Sequence, residues 1–296
     1  MLGLGTRKKK KILSSKTITM FRPQIRSKHP THQHLRDALD RVKKRVVVRL
    51  GSTTTLQEIY QKKGLSSQQL ANVVEINTVA AIENSSSKLR MKRCFTQAGV
   101  KTADWFQGQS RADLLQWAED KYPIISKSHN GSRGEGNAKH DNRESLERFL
   151  NNHNMGHYIF EKYYSFNREY RLHVTADGCF YTCRKVLKSD TPESERWYRN
   201  DSNSNWLVEE NPSFDKPVNW NQIVEECVKA LNAVGLDIGG FDVKVQSRTD
   251  SRERVRQNPD FIVIESNSAC SHGDITAVKY REQLNNIIRK KVSVVA

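Results

Sequence analysis

Two short apolar runs near the C-terminus predict a β-hairpin that carries acidic side chains, and this hairpin constrains the fold most. The first run begins at Gly239 and contains Asp242, and the second ends in Glu265 and Asn267. An Arg- and Ser-rich stretch separates them, as in a hairpin loop. Residues two apart on a strand share a face, so Glu265 and Asn267 point the same way and Asp242 can join them. Two carboxylates and an amide oxygen suit Mg²⁺; the alternative is a set of charges solvated at a sheet edge.

A lysine followed by a glycine-rich stretch predicts a second site, one that binds phosphate. The residues Tyr122–Lys127 have the pattern of a strand, and residues 129–136 contain three glycines. The stretch is neither a Walker A sequence nor a dinucleotide-binding fingerprint, because no Gly-Lys-Ser/Thr follows and no helix begins there. Glycines let backbone N–H groups approach an anion, although most such loops are simply turns. The cation on Lys127 favours the phosphate interpretation.

Two antiparallel strands are predicted between these features. Residues 168–175 alternate, with Glu169 and Arg171 on the charged face, which is typical of a half-buried strand. Residues 179–187 form the returning strand. The polar stretch 189–205 follows, and we interpret it as a lid over a pocket.

The positive charge of the chain is concentrated at its N-terminus. The first fifty residues hold fifteen Lys and Arg against two Asp, whereas the remainder holds 34 Lys and Arg against 31 acidic residues. A basic block without apolar periodicity predicts a mostly unstructured arm over residues 1–40. Such an arm is drawn to a polyanion such as nucleic acid, or to an acidic protein. A solubilising tail is the alternative.

Length and composition exclude several classes of protein. No stretch is apolar for long enough to span a bilayer, and basic residues follow the N-terminus without an apolar signal core. We therefore expect an intracellular, cytoplasmic protein with no membrane partner. The five cysteines include no CxxC pair, which indicates reduced thiols rather than disulfides or a zinc ribbon.

Seven short motifs follow one another along residues 84–290. They are a lysine that opens a helix (Lys88), a strand lysine (Lys127), the glycine-rich loop, an acidic-aromatic segment (Glu161–Tyr164), a Glu-x-Arg strand (Glu169–Arg171), a Gly-x-Asp strand (Gly240–Asp242) and a Glu-x-Asn strand end (Glu265–Asn267). Together and in this order they resemble the ATP-grasp carboxylate–amine ligases. The resemblance is nearest to the branch of ribosomal-protein glutamate ligases and lysine-biosynthesis carrier-protein ligases.

The resemblance implies a role for each matching residue. For ATP these are Lys88 and Lys127 at the α- and β-phosphates, His129, Gly131, Ser132, Gly134 and Gly136 in the loop over the γ-phosphate, Glu161 and Lys162 at the adenine edge through backbone groups, Glu169 at the ribose, and Arg199 and Asn200 in the lid. For the metal and the reaction these are Asp242, Glu265 and Asn267 around one or two Mg²⁺ or Mn²⁺ ions, and Arg171 with Arg184 at the transferred phosphoryl group.

The fold implied is α+β, with the two α+β lobes of an ATP-grasp fold gripping ATP after a truncated α/β N-terminal unit. The predicted boundaries are an arm at 1–40, a short α/β unit at 41–87, a first lobe with the glycine-rich loop at 88–158, and a second lobe with the metal site at 159–296. The reaction implied joins a carboxylate to an amine or thiol through an acyl phosphate, with an amino acid as a candidate substrate. The alternatives are an ATP-grasp kinase, and an ATP-binding protein that its arm tethers to nucleic acid or to a particle.

The sequence departs from the family's pattern in two places. Only about forty residues, 45–87, are left for the domain that usually precedes the first lysine. The Glu-x-Asn motif is commonly followed by Ala/Ser-Pro-Gly, but here Cys270 replaces the proline. Cys270 and His272 either touch substrate or pack locally within the loop.

Overall fold

The computed structural model describes residues 19–27, 29–129 and 136–294, which form three sheets flanked by helices. The strands are β1 (Gln24–Ser27), β2 (Val46–Leu50), β3 (Val74–Ile76), β4 (Ile124–Ser128), β5 (Ala138–His140), β6 (Tyr158–Lys162), β7 (Arg168–Thr175), β8 (Gly178–Leu187), β9 (Ser204–Val208), β10 (Ile238–Val245) and β11 (Phe261–Asn267). The helices are α1 (Leu56–Tyr60), α2 (Ser67–Ala71), α3 (Val79–Ser86), α4 (Lys88–Gln97), α5 (Arg111–Ala118), α6 (Arg143–Asn152), α7 (Trp220–Val234) and α8 (Asp274–Val294). None of these helices is both long and apolar enough to cross a bilayer.

An antiparallel five-stranded sheet, in the order β11-β10-β7-β8-β9, carries the three residues predicted to bind metal. One of its faces packs against α7, where Tyr170 and Leu172 of β7 meet Ile223 and Leu231 of the helix. Because side chains alternate along a strand, Glu169 on the same strand turns to the opposite face. The alternation predicted for β7 is confirmed, and on its charged face Glu169 is buried and Arg171 is half-buried.

A smaller antiparallel sheet, in the order β5-β4-β6, packs against α5 and α6. Leu114, Ile124, Leu146 and Phe160 are fully or almost fully buried between these layers. The strand β6 belongs to this sheet through its whole length, so the smaller lobe continues to Lys162 rather than ending at residue 158.

The third sheet is parallel, in the order β1-β2-β3, and lies at the front of the chain. Every residue of β2 is buried, as expected for the continuous apolar run that predicted a parallel strand there. One side of this sheet is covered by α8, whose residues Tyr280, Leu284 and Ile288 are buried against it.

The prediction of an unstructured arm over residues 1–40 is wrong for residues 24–27 and 29–40. These residues include β1 and a 3₁₀ turn at Pro30–Leu35, and the side chains of Leu35 and Leu39 are buried. This segment is held in place by contacts with β2 and α8, which are distant in sequence. Its structure therefore cannot be predicted from a local apolar period. The front unit therefore begins before residue 41, while residues 1–18 lie outside the described residues.

Leu35→Ala should test whether this segment belongs to the fold. Truncation of a fully buried leucine is expected to lower the free energy of unfolding by about 2–5 kcal/mol. Met20→Ala is the control, since this side chain lies just before the segment, is 44% exposed and should contribute little to stability. Thermal unfolding of both variants gives the comparison, and equal midpoints would mean that the segment is not packed in solution.

Candidate nucleotide and metal site

Strand pairing in the five-stranded sheet aligns charged residues in a row across the face of the sheet that is opposite α7. Glu265 of β11 lies opposite Asp242 of β10, and Asp242 lies opposite Arg171 of β7. The register between β10 and β11 shifts just after Asp242, which is a β-bulge. As a result Ile264 and Glu265 line the same cleft, although simple alternation would turn them to opposite faces.

Asp242 is buried and is held by two cations. Arg171 donates to its two carboxylate oxygens over 2.6 and 2.8 Å, and the ammonium of Lys185 lies at 3.4 Å. Burial by itself would raise the pKa of Asp242, but Arg171 and Lys185 outweigh it and hold that pKa well below its usual range. Asp242 is therefore a carboxylate at any physiological pH.

The pKa of Glu265 is shifted in the opposite direction to that of Asp242. Burial, and then the negative charge of Asp242, raise the pKa of Glu265, while Lys88 acts in the other direction. Two residues further on, the buried side-chain amide nitrogen of Asn267 has no hydrogen-bond partner among the described residues. A divalent cation would relieve the repulsion between the two carboxylates, and all three side chains offer the hard oxygen atoms that Mg²⁺ prefers.

These three residues thus fit a magnesium ion, although they form a sparse ligand set. Over the ranges that the structure describes, no group of three or more His, Cys, Asp and Glu side chains is arranged to hold a metal. The protein would supply two carboxylates and one amide, and phosphate oxygens and water would complete the coordination, as is usual for Mg²⁺.

The opposite wall of the cleft carries lysines from α4 and β4. Lys127 of β4 pairs with one carboxylate oxygen of Glu161 at 3.0 Å, and Lys92 of α4 approaches the other at 3.3 Å. Lys92 is fully buried and also donates to Thr102. This group has two cations and one carboxylate, and Lys88 from the first turn of α4 faces the same cleft. The excess positive charge suits a polyphosphate.

The two walls enclose one cleft. Lys127 and Glu265 both line it, as the predicted site requires. Its lining also includes Lys88, Met91, Ala103, Ile125, Asn137, Glu161, Lys162, Tyr163, Tyr164, Glu169, Lys185, Trp197, Tyr198, Arg199, Asp242, Lys244, Ile262 and Ile264.

Apolar side chains also line the cleft, and such side chains can pack against the face of a purine. They include Ile125 and Ile262, next to the segment that begins at Glu161. The backbone N–H of Lys162 donates to the carbonyl oxygen of Asp104 over 2.8 Å. That N–H is consequently engaged, so an adenine contact from this residue is restricted to its carbonyl group. Glu161 contributes a side chain to the cleft that the sequence did not predict.

A second row of charges crosses the sheet two residues from the first. Lys244 of β10 lies opposite Glu169 of β7, which lies opposite Lys185 of β8. The Glu169 carboxylate is 3.1 Å from the ammonium of Lys185 and 3.9 Å from the guanidinium of Arg199. Arg199 and Trp197 lie in the segment interpreted as a lid, and both line the cleft.

Lys244 is a buried cation with weak compensation. Its ammonium donates to the carbonyl oxygen of Trp197 over 3.5 Å and lies 5.3 Å from the ring centre of Tyr163. Burial lowers the pKa of Lys244 to about 8, and the charge of Glu169 only partly opposes this. The protonated form is therefore costly until a ligand supplies negative charge.

Lys244→Met is expected to raise the stability of the ligand-free protein at pH 7, by a gain on the order of 2 kcal/mol. A lysine with a lowered folded-state pKa destabilises most below that pKa, and the cost disappears as pH rises from about 8 towards 10.5. The advantage of the variant over the native protein should shrink across that interval. Thermal unfolding at several pH values measures it, with Lys62→Met on the exposed surface as the control. A variant that is less stable at pH 7 would contradict the argument.

Arg184 and Asn200 are two of the predicted residues that do not line the cleft. Arg184 lies on the opposite face of β8, where it donates to the carbonyl oxygens of Ser213 and Phe214. Its neighbour Lys185 occupies the cleft instead, because consecutive strand residues face opposite ways. Asn200 accepts hydrogen bonds from Ser202 and from the backbone of Asn203, so it caps a turn. Both assignments are wrong in this conformation.

The glycine-rich loop is described only at its ends. His129 donates its backbone N–H to the carbonyl oxygen of His157 and lines a separate groove beside Arg93. At the other end Gly136 has a φ of +72°, which favours glycine, and the next residue lines the cleft. The predicted contacts of Gly131, Ser132 and Gly134 lie outside the described residues.

The loop after Asn267 is held by the front segment of the chain. The ring Nε2 of His32 is 2.7 Å from the carbonyl oxygen of Cys270, and the backbone N–H of His272 donates to the hydroxyl of Thr31. Cys270 and His272 are buried, which supports local packing over contact with substrate. A side chain at Gly240 would collide with the Cys270 sulfur, so glycine lets this loop lie close to β10.

Three lysines of the cleft region escaped the sequence analysis, although signals for them exist. Lys92 lies one helical turn after Lys88 and so shares its face of α4. Lys244 lies two residues after Asp242 on the same strand face. Lys185 is next to Arg184, and the two side chains extend from opposite faces of β8.

Comparison with solved structures identifies the class of fold. D-alanine–D-alanine ligase from Bacillus anthracis superposes with a TM-score of 0.59 at 14% identity, over 92% of this chain and 97% of that chain. The ATP-grasp ligase PsnB, complexed with precursor peptide PsnA2 and AMPPNP, gives 0.53 at 13% identity, over 84% of this chain and 79% of that one. Biotin carboxylase from Campylobacter jejuni, in a βγ-ATP complex, gives 0.53 at 19% identity, over 78% of this chain and 50% of that one. The chain therefore has the α+β ATP-grasp fold.

The comparisons stop at the fold. The chain spans about half the length of the biotin carboxylase, and likewise of carboxyaminoimidazole ribonucleotide synthase from Aspergillus clavatus. No family model matches the sequence, and no curated protein does. The narrower resemblance to ribosomal-protein glutamate ligases and lysine-biosynthesis carrier-protein ligases stays a prediction.

Proposed function

We propose that this chain is an ATP-dependent ligase that joins a carboxylate to an amine. The observation that carries the proposal is a single cleft lined by lysines and by two carboxylates on paired strands, one of them buried and the other half-buried. Lys88 and Lys127 offer cations to a phosphate chain, and Asp242 and Glu265 offer ligands to the metal that accompanies it. The ATP and ADP complexes among the structures of the same fold support this assignment of the cleft.

Bound Mg²⁺, or Mn²⁺, would be held by Asp242, Glu265 and Asn267 and would neutralise charge that develops in phosphoryl transfer. The residues of the chain position the reactants around it. Glu169 accepts from the ribose hydroxyls, and the lysines hold the phosphates. Arg171 lies beside Asp242, where its guanidinium can bind the transferred phosphoryl group. Charge neutralisation and alignment are the main requirements of such a reaction.

The proposed reaction has two steps. A carboxylate oxygen attacks the γ-phosphorus of ATP, the bond to the bridging oxygen breaks, and ADP leaves, which gives an acyl phosphate. An amine then attacks the acyl carbon, inorganic phosphate leaves, and the nitrogen loses a proton to form the amide. Because acyl phosphates hydrolyse, water must be excluded, and residues 197–199 over the cleft are placed to do so.

ADP release in the presence of Mg²⁺, ATP and panels of carboxylic acids and amines tests the proposal, with amino acids in both panels. A ligase needs both substrates for turnover and gives an amide with the mass of the two minus water. Hydroxylamine in place of the amine should trap the acyl phosphate as a hydroxamate. A phosphorylated product that accumulates and does not react with hydroxylamine would instead identify a kinase. No ATP binding in the cleft would overturn both.

The basic N-terminal region supports no further assignment. A polyanion partner remains the hypothesis that its charge suggests. Its described part, residues 19–27 and 29–40, contributes a strand and a 3₁₀ turn to the front unit. A binding assay with a polyanion at several salt concentrations tests this hypothesis separately, because electrostatic binding weakens steeply as salt rises.

A further inference from the structure

A second pocket adjoins the nucleotide cleft on the β8–β9 side of the five-stranded sheet. Most of its lining is apolar or aromatic, and one cation stands at its inner end. The lining consists of Arg171 and His173 from β7, Tyr181 and Cys183 from β8, Trp206 and Val208 from β9, and Ser271 and Gly273–Thr276 at the start of α8.

The pocket and the cleft share a wall of two cations. Arg171 belongs to the pocket and bonds to Asp242 in the cleft, while Lys185 belongs to the cleft. The ring of Trp206 lies 4.8 Å from the guanidinium carbon of Arg171 and 4.8 Å from the ammonium of Lys185. A ligand in the pocket would therefore meet the cleft at Arg171, beside Asp242.

Arg171 has donors left for such a ligand. Its bidentate bond to Asp242 uses Nε and Nη2, whereas a guanidinium carries five N–H donors. The N–H groups of Nη1 suit a carboxylate oxygen. The strand register continues the row from Asp242 through Arg171 to Cys183 and Val208, so the lining becomes apolar within two strands of the cation.

The rest of the pocket wall offers almost no charge. Burial lowers the pKa of His173 to about 3 and raises the pKa of Cys183 to about 12, so both are neutral at pH 7. Asp274, at the start of α8, is the acidic residue in this lining. Among the described residues, the lining therefore offers no cation besides Arg171 that could bind a second carboxylate of a ligand.

We propose that this pocket holds the acid substrate, and that the acid carries its carboxylate on an aromatic or branched aliphatic skeleton. The carboxylate binds Arg171 next to the phosphoryl end of the cleft. The skeleton lies against Trp206, Tyr181, Val208 and Ile275. The reaction of this acid rests on the proposed ligase function, whereas its binding does not.

Binding is measured by calorimetry with the full chain, Mg²⁺ and a non-hydrolysable ATP analogue. 3-Phenylpropionate and 4-methylpentanoate are the apolar acids, and succinate and glutarate are the polar comparisons. The apolar acids are expected to bind at least about tenfold more tightly, because each buried CH₂ group contributes to affinity. Equal or tighter binding of the dicarboxylates, or no binding of any of the four, would overturn the proposal.

Two matched variants on one helix locate the binding. Ile275 lines the pocket and is 47% exposed, and Val278 is one turn further along, 52% exposed and outside the pocket lining. Ile275→Glu should weaken 3-phenylpropionate at least about tenfold, because it puts a charge against the apolar skeleton. Val278→Glu should leave the affinity unchanged. Equal losses in the two variants would place the acid elsewhere.

Turnover separates this proposal from the ligase function. If apolar acids bind with the expected dependence on Ile275 but stimulate no ADP release with any amine, the ligase function fails and the pocket assignment stands. If polar acids alone stimulate ADP release, the ligase function stands and the pocket assignment is wrong.

Discussion

Asp242→Asn and Glu265→Gln should each reduce ATP-dependent ADP release by about 10²-fold or more, since each removes a charged ligand from the phosphate-bound metal. Asp242 is buried and Glu265 is half-buried, and they lie opposite each other on paired strands of the five-stranded sheet. Neither variant changes the shape of a side chain appreciably. The loss should therefore be seen as a failure of turnover and of Mg²⁺-dependent nucleotide binding in calorimetry.

The same two variants should differ in stability. Asp242 accepts two hydrogen bonds from Arg171 and also pairs with Lys185, which keeps Glu169 as a second partner. Neutralisation of Asp242 therefore leaves the charge of Arg171 uncompensated and should cost about 3 kcal/mol. Burial and the repulsion from Asp242 raise the pKa of Glu265, so its charge is a cost in the ligand-free protein. Glu265→Gln should therefore be as stable as the native protein or more stable.

The pH dependence gives the sign of the Glu265 effect. A carboxyl whose folded-state pKa is raised favours folding below its unfolded pKa, and this contribution is lost as pH rises through the folded value. The Gln variant should match the native protein in acid and gain on it as pH rises towards neutrality. Thermal unfolding without Mg²⁺ measures this gain, and added Mg²⁺ should raise the native midpoint only.

Asp177→Asn supplies the control, because this exposed carboxylate pairs with Lys290 far from the cleft. It should leave ADP release and stability nearly unchanged. Full ADP production by Asp242→Asn would show that the metal assignment is wrong. Equal destabilisation by Asp242→Asn and Glu265→Gln would show that the two carboxylates do not have opposite electrostatic environments.

Local periodicity was enough to predict the parts of the site that lie on single strands. The strand β7 and the hairpin of β10 and β11 follow from alternating and β-branched residues. The choice of face was less secure. Glu265 reaches the cleft together with Ile264 only because of a bulge. The family resemblance implied Arg184, whereas Lys185 enters the cleft, and nothing local in the sequence distinguishes the two faces of β8.

The remaining differences arise from contacts between segments that are distant in sequence. Leu35 is buried against strands and a helix that the local composition of residues 1–40 cannot reveal. From the sequence, Lys92 is expected to be a surface lysine of a basic helix. In the structure it is buried, and it contacts Glu161 and Thr102. Pairing of this kind is decided by the tertiary fold, so a sequence shows the candidate residues without their partners.

Lys127→Met should lower ADP release by about 10²-fold with little loss of stability. The buried group of Lys92, Lys127 and Glu161 has two cations and one carboxylate. Removing Lys127 leaves a balanced pair of Lys92 and Glu161 but takes away the cation at the phosphates. Lys121→Met, on the same lobe, is the matched control, since the lysine side chains are 16% and 20% exposed respectively.

Glu161→Gln should have the complementary phenotype and lower the free energy of unfolding by about 3–5 kcal/mol, because two buried cations lose their counter-charge. ATP would then supply the missing negative charge, so nucleotide should raise the unfolding midpoint of this variant more than that of the native protein. Lys127→Met should show the smallest rise of the three. Differential scanning calorimetry with and without the non-hydrolysable ATP analogue measures the rise in midpoint, which should be largest for Glu161→Gln, intermediate for the native protein and smallest for Lys127→Met. The reverse order would mean that Lys127 and Glu161 do not face the phosphates.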